Sequence, residues 1–214
     1  MNHCKICFKI IKIDDFCRFF DSEIHICPAC QKALEPKFTH FKVEEYKAMA
    51  FYEYTELIKK LIFIYKGCFD YEMKDVFLDL FIKEIKAQYK GYIIIPIPSY
   101  VKDDELRGFN HVVEVCKQIG ININPVIEKT SHFKQAENTA KQRQQIGKHL
   151  QLKATDKLHN KRVLIVDDIY TTGSTMKAAI KLVEQLQPKE IRILVLAKTK
   201  DKSSTKSNTK HSLH

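Results

Sequence analysis

Lys161-Arg162-Val163-Leu164-Ile165-Val166-Asp167-Asp168-Ile169-Tyr170-Thr171-Thr172-Gly173-Ser174-Thr175 starts as a continuous apolar run. It reaches two adjacent carboxylates and then turns, through small hydroxyl residues, into a helical pattern. A short apolar run of this kind suits a strand buried on both faces of a parallel sheet. In open α/β sheets ligands bind beyond the carboxyl ends of the strands, and the turn Thr171 to Thr175 falls there. Backbone N–H groups and the positive end of the helix dipole favour a phosphate at such a point. Gly173 permits close backbone approach, and the hydroxyls of Thr171, Thr172, Ser174 and Thr175 add donors. Asp167 and Asp168 suit the vicinal hydroxyls of a sugar, or a hydrated Mg²⁺. The plainer alternative is a strand–turn–helix capped by Thr or Ser, but a cap needs neither two acids nor five small residues in a row. The stretch is not a P-loop, because no Gly-Lys-Ser/Thr follows four residues after a glycine.

Two further runs match this strand, Tyr92-Ile93-Ile94-Ile95-Pro96-Ile97-Pro98 and Ile191 to Ala197. Between them lie helical patterns. Phe109, Val112, Val113 and Cys116 form one stripe, closed by Gly120 as a C-cap. Met176, Ala179, Ile180 and Val183 form another, followed by Pro188. Strands alternating with helices predict a doubly wound α/β sheet, parallel and flanked by helices. Upstream, Glu44 to Lys66 reads as helical, with Leu57, Ile58, Leu61, Ile62 and Tyr65 on one stripe and Gly67 as its stop. Tyr71 to Tyr89 reads as a second helix with Val76, Phe77, Leu80, Phe81 and Ile85 inward. The aromatics Phe51, Tyr52, Tyr54, Phe63 and Tyr65 could stack nucleic-acid bases, but at helical spacing they read as core.

Cys4-Lys5-Ile6-Cys7 and Cys27-Pro28-Ala29-Cys30 are two C-x-x-C pairs separated by 19 residues. That spacing fits a closed structural zinc shell of four thiolates. A segment of this size cannot bury enough apolar surface alone, so metal ligation would replace a core. Four buried thiols or a redox pair are the alternatives, though a redox pair belongs to a thioredoxin-like strand context that is missing here. Cys17 reads as packing, and His3 and His25 are possible substitute ligands. A closed shell leaves no open position, so no catalysis is assigned to it.

The bulk properties set outer limits. The chain has 214 residues, 44% of them apolar, enough for one α/β domain and a small appendage. No run of about 18 apolar residues is present, so no membrane span is expected. The polar N-terminus does not read as a signal peptide, and a cytoplasmic location follows as the expectation. Seven cysteines, an odd number, argue against a disulfide framework. The formal charge is +10. Lys198 to His214, with five Lys and one Asp, carries +4 of it and reads as a disordered basic tail. The organisation expected is therefore 1–40 as the zinc module, 41–197 as the α/β domain and 198–214 as the tail. The excess on the body suits phosphate-rich ligands or nucleic acid, and suits ordinary solubility almost as well.

The thirteen residues Val163 to Thr175 resemble the phosphoribosyl-pyrophosphate signature of type I phosphoribosyltransferases. That resemblance implies an acidic pair holding the ribose 2′ and 3′ hydroxyls and a loop holding the 5-phosphate. Pro96-Ile97-Pro98 followed by Arg107-Gly108-Phe109-Asn110, together with the two C-x-x-C pairs, resembles the ComF family of competence proteins, from Cys4 to about Lys198. It implies a pyrophosphate loop after the Pro96 strand, with Arg107 making bidentate phosphate contacts and Gly108 letting the backbone approach. For Arg107 the alternative is a salt bridge with Asp103 or Asp104. The resemblance makes Lys129 to Lys148 a hood over the site, in which Gln135 and Arg143 fit the family pattern and Lys141 and Lys148 add donors. His111 stands where the family usually has Gln, and Ile146 where it usually has Asn.

Two functions follow from the resemblance. In one, the protein binds phosphoribosyl pyrophosphate with Mg²⁺, Asp167, Asp168 and Arg107 serve catalysis, and the setting is DNA uptake in natural transformation beside a helicase-like partner. In the other, it is a non-catalytic module for single-stranded DNA or a partner protein.

Overall fold

A computed structural model describes residues 3–11, 24–129, 150–153 and 158–200. The elements in chain order are α1 (Pro28–Leu34), β1 (Thr39–Val43), β2 (Tyr46–Glu53), α2 (Glu56–Gly67), a 3₁₀ turn (Tyr71–Val76), α3 (Ile82–Gln88), β3 (Tyr92–Pro96), α4 (Val101–Arg107), α5 (His111–Ile119), β4 (Ile127–Lys129), β5 (Leu150–Leu152), β6 (Arg162–Tyr170), α6 (Ser174–Glu184) and β7 (Glu190–Lys198).

Five strands form one sheet in the order β1-β2-β7-β6-β3, and β4 and β5 make a separate antiparallel pair. β2, β7, β6 and β3 run parallel, with Val163 facing Ile93 and Ile191, and Leu194 facing Met49 and Val166. β1 joins antiparallel through a tight hairpin at Val43 and Tyr46. The expectation of a parallel sheet flanked by helices therefore holds, with an antiparallel edge added.

Strand alternation sends apolar side chains to both faces. Met49, Phe51, Ile94, Leu164, Val166, Leu194 and Leu196 meet α2, α5 and the 71–82 region on one side. Ala48, Ala50, Ile95, Val163, Ile165, Ile193 and Val195 meet α6 on the other. Each fully buried aliphatic side chain contributes roughly 1.5–3 kcal/mol, so the sheet is fixed from both sides.

Three sequence expectations need correction. The helix expected from Glu44 begins at Glu56, where Thr55 caps it by accepting from Ile58 N–H at 3.4 Å. Tyr46 to Glu53 is a strand between β1 and β7. Because it is buried on both faces it shows no period-two alternation, and its Ala, Met and Lys residues favour helix until sheet pairing overrides them. The helix expected over Tyr71 to Tyr89 is broken between Val76 and Ile82. There Phe77 gives its carbonyl to the Tyr52 hydroxyl at 2.8 Å, and Asp79 takes the His25 side chain at 2.7 Å. Finally, α5 starts at His111 with Asn110 as its cap, and its buried face is His111, Val112, Val115, Cys116 and Ile119. Phe109 lies before the helix and stacks on Tyr65 at 5.4 Å instead.

At the N-terminal end, Cys4 N–H donates to Lys9 O and Phe8 N–H to Cys4 O, closing a tight turn around the first cysteine pair. Cys27 caps α1, with Pro28 as its first residue, so the second pair sits on a helix start. Ile26 and Leu34 pack in the same apolar cluster as Phe51 and Phe77. β7 runs through Lys198, whose carbonyl accepts from Tyr54 N–H at 2.8 Å, so the composition-based start of the tail falls on a paired residue. Cys17, the hood residues Gln135, Lys141, Arg143, Ile146 and Lys148, and the tail beyond Lys200 lie outside the described residues.

Candidate functional site

The ends of β3 and β6 open onto a cleft of about 400 Å³. The loop after β3 lines one wall through Ser99 and Tyr100; Asp167, Asp168, Thr171 and Thr175 line another. Lys66 from the last turn of α2, Arg107 from the end of α4 and His111 from the start of α5 close it. Tyr54 and Lys129 also border it. Among the residues nominated from sequence, Gly108, Thr172, Gly173 and Ser174 lie beside this lining rather than in it.

Gly173 is the N-cap of α6 with φ of 75°, a left-handed conformation that favours glycine. A Cβ there would also overlap the Tyr170 hydroxyl. Among the described residues no side chain caps α6: Thr172 Oγ1 and Ser174 Oγ bond to each other at 3.0 Å instead. The plain capping explanation for this run of hydroxyls is thus not what the local geometry adopts. The first turn of α6 leaves N–H groups without intrahelical acceptors.

The acidic pair sits within β6 rather than at its end, since pairing with β7 continues to Tyr170. The two carboxylates have different surroundings. Asp168 is 9% exposed. Its Oδ2 accepts from Lys66 Nζ at 2.6 Å and faces His111 Nε2 at 3.1 Å, and its Oδ1 accepts from Ile169 N–H at 2.7 Å. Burial works against its ionisation, but Lys66 and His111 outweigh burial and hold its pKa well below the usual carboxylate range. Among the described residues, the half-buried Asp167 accepts from the Asp168 N–H at 2.9 Å. Burial and the neighbouring Asp168 charge push its pKa well up. Lys66 in turn is raised by Asp168 against the opposing effect of burial.

The Arg107-Gly108-Phe109-Asn110 segment wraps around Asp104. Arg107 donates to Asp104 Oδ1 at 2.9 Å, and Asn110 Nδ2 donates to Asp104 Oδ2 at 2.7 Å. Gly108 turns the chain with φ of 82°. Arg107 also donates from Nε to Lys66 O at 3.0 Å, and its Nη1 lies 3.3 Å from His111 Nδ1. Since arginine can only donate, His111 Nδ1 is the acceptor there and Nε2 carries the proton toward Asp168. The salt bridge weighed as the alternative for Arg107 is present with Asp104.

The four cysteine sulfurs of Cys4, Cys7, Cys27 and Cys30 all lie within 4.8 Å of one another, with Cys7 and Cys27 at 3.7 Å. A tetrahedral shell with Zn–S bonds of about 2.3 Å has sulfur–sulfur edges of about 3.8 Å, so the cluster fits a zinc ion and can hold one. Burial opposes ionisation of Cys4, but backbone N–H groups of Cys27, Cys7 and Ile6 outweigh it and bring its pKa down to about 6. Burial and the neighbouring cysteines push Cys30 up. The cluster is tied to the body by Lys5, 2.7 Å from Glu72 and 2.5 Å from Asp75, and by His25 on Asp79 at 2.7 Å.

Lys66 is the site residue that sequence reading missed. It ends a helix and looks like an ordinary solvated lysine, and its partner is 102 residues away. His111 was visible only as a departure from the family pattern, although a histidine beside an apolar helical stripe is a usable signal of a buried polar partner. Among the described residues no helix is long and apolar enough to cross a membrane.

The family model for the phosphoribosyl transferase domain matches residues 106–213. The competence protein ComFC of Streptococcus pneumoniae is 27% identical over 150 residues, 70% of this chain and 67% of that protein. The competence protein F of Haemophilus influenzae is 33% identical over 113 residues, 49% of each chain, so only about half of that relative is spanned. An adenine phosphoribosyltransferase of Campylobacter jejuni is 26% identical over 127 residues, 58% of this chain and 67% of that one. With half of its length matched by that model and both competence proteins among its relatives, this chain belongs to the phosphoribosyl transferase domain family and is a ComF-family, phosphoribosyltransferase-like protein.

Proposed function

We propose that the cleft binds 5-phosphoribosyl-1-pyrophosphate, or a close relative, together with Mg²⁺, and that the protein serves DNA uptake during natural transformation in the cytoplasm. The observation that carries the ligand assignment is that the acidic pair and the start of α6 share one cleft at the carboxyl ends of β3 and β6. Its volume lies within the ordinary range for small-molecule sites. The biological setting is supported by the names of the two competence relatives, and a helicase-like partner is proposed on the motif resemblance alone.

In this reading the 5-phosphate lies against the N–H groups of Gly173 to Thr175, where the α6 dipole favours negative charge. Asp168, held ionised by Lys66 and His111, accepts from a ribose hydroxyl. Asp167 keeps a carboxylate oxygen without a partner among the described residues, which suits the second hydroxyl or a hard divalent cation. Bound Mg²⁺ would neutralise the ligand's pyrophosphate oxygens. If transfer occurs, a nitrogen acceptor displaces pyrophosphate from C1, and the protein contributes positioning and electrostatic stabilisation of an oxocarbenium-like state. The four cysteines serve a structural zinc.

Calorimetric titration with phosphoribosyl pyrophosphate at millimolar Mg²⁺ tests the ligand, and wild-type protein that does not bind would overturn it. A pyrophosphate-release assay over a panel of bases then separates turnover from a binding module. Cells carrying Asp167→Asn with Asp168→Asn at normal protein level should transform poorly; normal transformation would remove the uptake role from this site.

A further inference from the structure

We propose that Lys66 is the protein's cation for the pyrophosphate end of the ligand, and that Arg107 is the residue that positions it. The proposal rests on the reading of the cleft given above and adds to it a ligand contact from α2, outside the segment that the family model matches.

Three cations border the cleft among the described residues: Lys66, Arg107 and Lys129. Arg107 is already committed. Its side chain is 7% exposed. Nη1 serves Asp104 at 2.9 Å, lies 3.4 Å from Phe109 O and faces His111, and Nε serves the Lys66 carbonyl at 3.0 Å. Turning the guanidinium onto a phosphate would strip contacts from Asp104 and from the end of α2. Lys66 differs. Its side chain is 39% exposed, and of the three donors on its ammonium one is used, toward Asp168 Oδ2, among the described residues. Its main chain is pinned by Arg107, while its tip is a compact charge that can be shared between a carboxylate and a phosphate oxygen.

The direction of the ligand places that tip. Asp168 and Thr171 are three residues apart around the end of β6, about 10 Å at strand rise, so a ribose ring can lie between them. With the 5-phosphate at Thr171 to Thr175 and the diol at the acidic pair, C1 lies next to the diol and away from the 5-phosphate. Lys66, in contact with Asp168, is on that side. Two carboxylates beside a polyanion also require a nearby cation, since like charges a few ångströms apart are costly in a partly dry site.

Titration of the full-length, zinc-loaded protein at fixed Mg²⁺ with phosphoribosyl pyrophosphate, pyrophosphate and ribose 5-phosphate tests this. Lys66→Met keeps the apolar stem, and Lys66→Arg keeps the charge. Lys66→Met should weaken phosphoribosyl pyrophosphate and pyrophosphate roughly 10- to 100-fold, as for loss of one charge-assisted hydrogen bond. Ribose 5-phosphate should change by no more than about threefold, and Lys66→Arg should recover most of the loss. Arg107→Gln should also weaken the pyrophosphate-bearing ligands, and combining it with Lys66→Met should add little, because a positioning residue acts through its target. Loss of phosphoribosyl pyrophosphate and ribose 5-phosphate with pyrophosphate unchanged in Lys66→Met would show that Lys66 only holds Asp168, equal loss of all three would show a general disturbance of the cleft, and unchanged affinity for all three would remove Lys66 from the site; each overturns the proposal. Melting curves accompany each variant, and Lys66→Gln replaces Lys66→Met if the latter does not fold. Wild-type protein that binds none of the three overturns the reading of the cleft itself, a result distinct from a wild type that binds and a variant that is unchanged.

Discussion

Lys66 Nζ and Asp168 Oδ2 meet at 2.6 Å across 102 residues of chain, and that contact makes the two neighbouring acids of β6 unequal. Asp168 gains Lys66 and His111 and stays ionised, whereas at Asp167 burial and the repulsion of its neighbour outweigh one backbone N–H and the attraction of Lys66. Identical side chains at adjacent positions are therefore shifted in opposite directions, because alternate strand positions face different neighbours.

The first prediction is that the two aspartates respond oppositely to neutralisation. Asp168→Asn strips Lys66 and His111 of their carboxylate. Removing one partner of a buried pair costs about 3–5 kcal/mol, and the exposure of Lys66 reduces this to roughly 1–2 kcal/mol through solvent screening. Asp167→Asn removes a like-charge repulsion and should hold or raise the melting temperature. Both should weaken phosphoribosyl pyrophosphate more than pyrophosphate alone. Thermal denaturation of the two variants checks the signs, and a lower melting temperature for Asp167→Asn would contradict the assignment.

A second prediction concerns pH. A carboxyl whose pKa is raised by folding favours the folded state fully below the unfolded value, about 3.9, and loses that contribution as pH rises through the folded value. Asp167 is such a group. The stabilising effect of Asp167→Asn should therefore be absent at pH 3.5, grow as pH rises and level off once Asp167 is ionised in the folded protein. Asp168 has the opposite sign: its contribution is present above about 3.9 and is lost as pH falls through its lowered folded value. Melting temperatures of wild type and Asp167→Asn across pH 3.5 to 8 would test this, and a constant difference would refute it.

Much of this site was legible from Lys161 to Thr175 alone, because a buried strand, two acids and a small-residue turn each have few other uses. The alternation of Tyr92–Pro96, Arg162–Tyr170 and Glu190–Lys198 with α5 and α6 likewise gave the parallel sheet. β2 was illegible for a physical reason. Met49 and Phe51 face one layer while Ala48 and Ala50 face the other, so no alternation marks the strand. Lys66 was illegible because its function depends on a contact made only when α2 packs beside β6, which local pattern does not encode. His111 shows the intermediate case, in which a polar residue on a buried helical face signals a partner without naming Asp168.

A third prediction uses Gly173. Its φ of 75° costs an L-residue roughly 1–2 kcal/mol, and a Cβ meets Tyr170 Cζ at 2.8 Å. Gly173→Ala should lower stability, and Tyr170→Phe in the same chain should recover the part due to the hydroxyl but not the part due to φ. Gly173→Val should in addition abolish binding of phosphoribosyl pyrophosphate, because its side chain fills the approach to the start of α6. Retained binding in a folded Gly173→Val protein would show that the 5-phosphate lies elsewhere.

The last prediction concerns the cysteine cluster. Four sulfurs within 4.8 Å of one another are poorly explained by packing alone, since thiolates so close repel unless a cation lies among them. The purified, reduced protein should contain about one zinc per chain. Cys27→Ser removes a sulfur of the cluster at the N-cap position of α1, so it should lower metal content, whereas Cys68→Ser, an exposed cysteine outside the cluster, should leave it unchanged. The loss should reach the body of the protein. Cys4, Ile26, Cys27 and Leu34 share an apolar cluster with Phe51, Tyr65 and Phe77, and Lys5 and His25 hold the stretch that carries Glu72, Asp75 and Asp79. That stretch leads to the cleft, because Tyr71 meets Phe109 edge-on at 5.2 Å and Tyr65 donates to His111 O at 2.8 Å. Chelation should therefore lower the melting temperature, with a stability loss on the order of several kcal/mol, and should weaken ligand binding even though none of the described cysteines borders the cleft. Metal analysis that finds no zinc in fresh protein would reject the zinc assignment; zinc present but removable without any change in melting temperature would reject the coupling.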